Sequence, residues 1–116
     1  MIAGCKNSVI PTDGSVTSIG DEAFRDCTSL TSITIPDGVT SIGYSAFSDC
    51  TGLTSITIGD SATSIGYSAF YNCTGLTSVT FEGTKAQWNS VSKGSNWKYN
   101  APFTVVHCSD GNVSVW

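Results

Sequence analysis

The sequence predicts an α/β solenoid: three stacked coils, with a degraded coil before them and a cap after them. Three observations carry this reading. A 23-residue unit recurs at Thr17–Val39, Thr40–Ala62 and Thr63–Lys85, with 16 of 23 positions identical between the first and second units and 15 of 23 between the second and third. A fixed period in this range marks a stack of like coils, each contacting its neighbours. Within the unit, apolar residues recur at fixed places, as buried columns require. Outside the unit the period is lost, as the ends of a stack demand. The whole chain, residues 1–116, reads as one domain, with 1–16 the degraded N-terminal coil, 17–85 the three repeats and 86–116 the C-terminal cap.

Each element of a coil has its own signal. Leu30-Thr31-Ser32-Ile33-Thr34-Ile35 is rich in β-branched residues, and Ile33 and Ile35 alternate with Ser32 and Thr34. That period of two is a half-buried strand. Pro36-Asp37-Gly38 breaks it with turn chemistry. Val39-Thr40-Ser41-Ile42-Gly43 is a second, shorter extended piece. Ala46-Phe47 followed by Cys50 is spaced for one helical or 3₁₀ turn with Phe47 and Cys50 inward. The inward columns are then Leu30/Leu53/Leu76, Ile33/Ile56/Val79, Ile35/Ile58/Phe81, Ile19/Ile42/Ile65, Ala23/Ala46/Ala69, Phe24/Phe47/Phe70 and Cys27/Cys50/Cys73. One coil cannot bury enough apolar surface to offset its chain entropy, so stability must come from stacking.

The ends read differently. Val9 and Ile10 stand where a strand would be, and Pro11 to Gly14 echo the turn at Pro36. Beyond Lys85 the repeat vanishes. Ala86–Val91 suits a short helix, Phe103–Cys108 a strand, and Val113–Trp116 a return strand after the Asp110-Gly111 turn. Trp88 and Trp97 are the expected plugs over the last coil's core.

The pattern Leu-x-x-Ile-x-Ile, then Val-x-x-Ile-Gly-x-x-Ala-Phe-x-x-Cys, resembles the BspA-like leucine-rich-repeat family of bacterial surface proteins. Thr17 to Phe81 carry it, and Gly83-Thr84-Lys85-Ala86-Gln87-Trp88 through Val106-His107-Cys108-Ser109-Asp110-Gly111 looks like that family's closing segment. The resemblance implies a right-handed leucine-rich-repeat solenoid with the strands after Leu30, Leu53 and Leu76 in a parallel sheet. It also implies an extracellular or cell-surface location on a bacterium and roles in adhesion and protein recognition. Members often carry many more repeats, with an export signal or wall anchor. Here Met1 lacks the charged region and apolar core of such a signal.

Composition excludes several function classes. Charged residues make up 12 % and the net charge is −4, against roughly 25 % charged in an ordinary domain. Between Thr17 and Phe81, Asp21, Glu22, Asp26, Asp37, Asp49 and Asp60 face only Arg25, and from Glu82 onward Lys85, Lys93 and Lys98 stand against Glu82 and Asp110. An acidic stack repels phosphate, so nucleic acid is not an expected partner. No apolar run is long enough to cross a membrane as a helix.

Catalytic and cofactor chemistry find no support. The cysteines Cys27, Cys50 and Cys73 are one coil apart, so their side chains point the same way, which reads as a buried column of free thiols. No paired C-x₂-C spacing suits zinc, and five cysteines leave an odd one. The lone histidine, His107, neighbours Cys108, but adjacent strand residues point to opposite faces; it reads as a structural residue of the cap. No metal or cofactor is therefore expected, and the chain does not read as an enzyme.

What remains is surface. Ser32/Ser55/Ser78 and Thr34/Thr57/Thr80 should form two hydroxyl columns on the exposed face of the sheet. They are the candidate ligand-binding residues of a non-enzymatic module that meets a protein or host-surface ligand. Tyr44, Tyr67 and Tyr71 lie on the outer corner beside the Ala-Phe pair, where they read either as sugar-stacking rings or as partly buried packing. Two other readings stand beside the first. The chain serves as the C-terminal capping end of a longer stack, or it pairs end to end into a homodimer through Cys5–Val16.

Overall fold

In the computed structural model, residues 16–115 are described. The degraded N-terminal coil and the dimer surface expected on it lie outside these residues, apart from Val16. The described chain winds as a solenoid with two parallel sheets. The short strands β1 (Ser18–Ile19), β3 (Ser41–Ile42), β5 (Ser64–Ile65) and β7 (Ser92–Lys93) form one. The longer strands β2 (Ser32–Ile35), β4 (Ser55–Ile58), β6 (Ser78–Phe81), β8 (Val105–Cys108) and β9 (Gly111–Ser114) form the other. Every pairing between coils is parallel and in register: Ile33 opposes Ile56, and Ile56 opposes Val79. Only β9 turns back, antiparallel to β8.

The third side of each coil has no strand and no helix. The expected helical turn around Ala46–Cys50 is instead a pair of tight turns. Ser45 and Asp49 take left-handed backbone conformations, with φ of 52° and 62°. The same pair recurs at Glu22/Asp26, Ser68/Asn72 and Asn96/Asn100. Alternating backbone conformation aims every second N–H along the stack. Ser45, Phe47 and Asp49 donate to the carbonyls of Tyr67, Ala69 and Tyr71 at 2.8, 2.8 and 2.7 Å. A helix would spend those donors inside the coil. Three ladders therefore tie each coil to the next, and they offset the cost of non-glycine left-handed residues. The i, i+3 spacing of Phe47 and Cys50 buries both in either geometry, so the pattern alone reads as a helix.

All seven columns are interior. Phe24, Phe47 and Phe70 have no exposed surface and stack nearly parallel, with centroids 5.1 and 5.5 Å apart. The thiols of Cys50 and Cys73 donate to the carbonyls of Phe24 and Phe47 in the preceding coil, at 3.0 and 2.9 Å. Such close stacking needs small residues at the bends. A Cβ built on Gly66 would sit 2.6 Å from the Tyr44 nitrogen and 2.7 Å from the Gly43 carbonyl carbon. Gly66→Ala is therefore expected to cost about 1–3 kcal/mol, as overpacking does. A thermal melt checks it; an unchanged midpoint would mean the coils are not held this close.

The segment after Lys85 is a fourth coil. Ser92 pairs with Ser64 and Lys93 with Ile65, an offset of 28 residues where the earlier coils show 23. The turn ladder continues, with Ser68, Phe70 and Asn72 donating to Ser95, Trp97 and Tyr99. The extra length sits at one corner, in helix α1 (Lys85–Ser90). Thr84 caps α1 through a reciprocal bond pair with Gln87, at 3.1 and 2.7 Å. Asp110, from the β8–β9 turn, accepts from the Lys85 N–H at 2.8 Å. Trp88 is buried against Phe81 and Trp97, and Trp97 meets the end of the phenylalanine column edge-on.

Candidate functional site

Strand pleat fixes which residues face outward. In β2, β4 and β6 the isoleucine, valine and phenylalanine side chains are buried while the serine and threonine between them reach solvent. Register then aligns them. Ser32, Ser55 and Ser78 form one row, and Thr34, Thr57 and Thr80 another. Ser32 and Thr34 are exposed, while the four on the inner strands are half-buried between neighbours. The structure thus brings together all six residues that the sequence singled out.

The threonine row is longer than the sequence indicated. His107 lies beside Thr80 in the parallel register, and Asn112 lies beside His107 across the hairpin. His107 is exposed, and its Nδ1 lies 3.0 Å from Asn112 Oδ1. It is an outward-facing member of the sheet surface. The signal was present: β8 reads Val105-Val106-His107-Cys108, the same alternation as the repeats.

The cysteine column needs one correction. Cys27 is disulfide-bonded, so it is not a free thiol. Cys50, Cys73 and Cys108 are the free cysteines among the described residues. Like-oriented neighbours cannot bridge each other, which holds for Cys50 and Cys73. Cys27 sits at the end of the column, and that argument does not bind its outer side. Burial pushes the Cys50 thiol up to about 11 and the Cys73 thiol up to about 12. Burial also raises Cys108, which remains accessible to solvent. A disulfide-exchange thiol reagent at pH 8 is therefore expected to label Cys108 first and to reach Cys50 and Cys73 only on unfolding. Immediate labelling of all three would show an open core.

Nothing here points to a metal centre: among the described residues, no group of three or more His, Cys, Asp or Glu is placed to hold one. No helix among them is long and apolar enough to cross a membrane. Two grooves lie away from the sheet face. One, of about 310 Å³, runs between α1 and the corner at Asp60–Thr63. The other, of about 410 Å³, follows the turn side past Tyr44, Tyr67 and Tyr71.

Together the coil, the in-register sheet and the solvated hydroxyl face define a leucine-rich-repeat module. The chain belongs to the BspA-type family: the profile described as "BspA type Leucine rich repeat region (6 copies)" matches residues 3–97. Two solved structures are similar. A leucine-rich cell surface protein from Faecalibacterium prausnitzii A2-165 is 42% identical, with a TM-score of 0.66, over 68% of this chain and 21% of that one. A leucine-rich repeat protein from Bacteroides capillosus ATCC 29799 is 29% identical, with a TM-score of 0.67, over 90% of this chain and 75% of that one. This chain thus spans about a fifth of the Faecalibacterium protein's length. No curated protein matches it.

Proposed function

We propose that the chain is a non-enzymatic recognition module of a bacterial surface protein, and that its sheet face meets a protein or host-surface ligand in adhesion. The carrying observation is the pair of in-register rows Ser32–Ser55–Ser78 and Thr34–Thr57–Thr80, the second continued by His107 and Asn112. Short hydroxyl side chains on a rigid sheet lose little entropy on contact and offer donors and acceptors at fixed spacing. Extended repeat surfaces are a common binding site in solenoid proteins. Location on the cell surface is supported by the Faecalibacterium relative, which is a cell surface protein. The disulfide at Cys27 suits an oxidising compartment.

The test is adhesion. Beads coated with the chain should attach to cultured epithelial cells above the level of bare beads. Thr57→Lys, at the centre of the threonine row, should abolish that attachment while the melting temperature holds within a few degrees. If Thr57→Lys beads attach as well as the parent, the sheet face is not the working surface.

A second reading, as the terminating end of a longer stack, is favoured by one observation. The last coil ends in β9, which reverses direction and closes the parallel run. The two readings are compatible in one protein.

A further inference from the structure

The exposed large apolar side chains among the described residues are three tyrosines, Tyr44, Tyr67 and Tyr99, and all three lie on the turn side of the coils. Their exposures are 40%, 52% and 57%. Tyr44 stacks on Tyr67 at 6.1 Å, and Tyr71 on Tyr99 at 5.2 Å. The two pairs stand in different columns of the repeat, four positions apart. Tyr44, Tyr67 and Tyr71 line the groove of about 410 Å³, with the buried serines Ser48 and Ser68 among them.

Other coils place different residues in these columns. In the first coil Asp21 and Arg25 occupy the same two columns, and in the last Ser95 replaces the first ring. An aromatic left half-exposed where a serine suffices is a contact residue in waiting.

The surroundings select the ligand. Extended peptides bind sheets by pairing with open backbone groups, but alternate N–H groups here already bridge the coils. The serine lining leaves no deep apolar pocket for a side-chain anchor. Glu22 holds Arg25 in an ion pair at 2.6 Å, so Asp49 leaves the groove acidic. Anionic ligands are repelled. Asp49 and Asn96 add a carboxylate and an amide to the lining, and Asp49 is held by Asn72, which donates to it at 3.0 Å and accepts from Asn100 at 2.9 Å. Exposed tyrosine rings beside a fixed carboxylate and amides match a sugar, whose C–H groups pack against the rings while its hydroxyls bond to planar polar groups.

We propose that this tyrosine groove binds a neutral linear oligosaccharide lying along the stack axis. The site is separate from the sheet face and stands or falls independently of it. The experiment titrates the chain with cellohexaose, chitohexaose, mannohexaose and a heparin-derived hexasaccharide, by calorimetry and by amide chemical shifts. At least one neutral hexasaccharide should bind and shift the amides of Ser45, Ser68 and Asn96. Tyr67→Ala should weaken it about tenfold or more with an unchanged melting temperature, and Thr57→Lys should leave it intact. The proposal is overturned if no neutral hexasaccharide binds the parent chain. It is equally overturned if binding survives the double change Tyr44→Ala and Tyr67→Ala, or if only the heparin fragment binds.

Discussion

Phe47→Ala should destabilise the chain by about 3–5 kcal/mol, the usual cost of emptying a buried aromatic site. Phe47 is the middle ring of the column, fully buried and stacked on Phe24 and Phe70. Its loss leaves a cavity walled by two aromatic faces that cannot close in, because three hydrogen-bonded ladders hold the coils at fixed spacing. A small domain has only about 5–15 kcal/mol to lose, so the melting midpoint should fall by about ten degrees or more. Circular dichroism against temperature measures this directly. A midpoint within two or three degrees of the parent would show that the stack does not depend on its central column.

The second large effect belongs to Trp88→Ala. Trp88 is buried at the end of the stack, against Phe81 at 5.4 Å and Trp97 at 5.9 Å. Lys93 stands where earlier coils have an isoleucine. Its ammonium lies 4.5 Å from the Trp88 ring centroid and donates to the carbonyls of Trp88 and Val91. The last coil thus exchanges an apolar column residue for one whose ammonium, partly buried, closes over the Trp88 ring and two carbonyls. Partial burial lowers the Lys93 pKa. Removing the indole should cost about 3–5 kcal/mol and open the apolar end of the third coil. Light scattering should then show association at concentrations where the parent is monodisperse. A variant that melts lower yet stays dispersed would mean that β8 and β9 seal the end without the indole.

Much of the fold was legible because stacked coils convert spacing into contact. Once Phe24, Phe47 and Phe70 share a position in the unit, their burial and mutual stacking follow. The same logic placed Ser32, Thr34 and their counterparts on one outward face. The fourth coil was harder to see. Ser92-Lys93-Gly94 and Tyr99-Asn100 match Ser64-Ile65-Gly66 and Tyr71-Asn72, but at a spacing of 28. A lysine and a tryptophan stand at positions where apolar periodicity expects isoleucine and alanine. The helical reading of the turn side failed for a different reason. Side-chain periodicity reports which residues are inward, whereas the backbone here is set by where its N–H groups find acceptors. The disulfide at Cys27 was hidden because reasoning on equivalent positions treats an end coil as if it had like neighbours on both sides. The extension of the threonine row by His107 depended on β8 joining the sheet.

The corner that houses α1 absorbs five extra residues while the strand and turn ladders on either side keep their pairing. Helix and hairpin turn are fastened there by their own bonds, so the corner's length is uncoupled from the rise of the stack. For engineering, that bend is a grafting point: a foreign epitope spliced into it would be displayed on a stiff scaffold without asking any neighbouring winding to move.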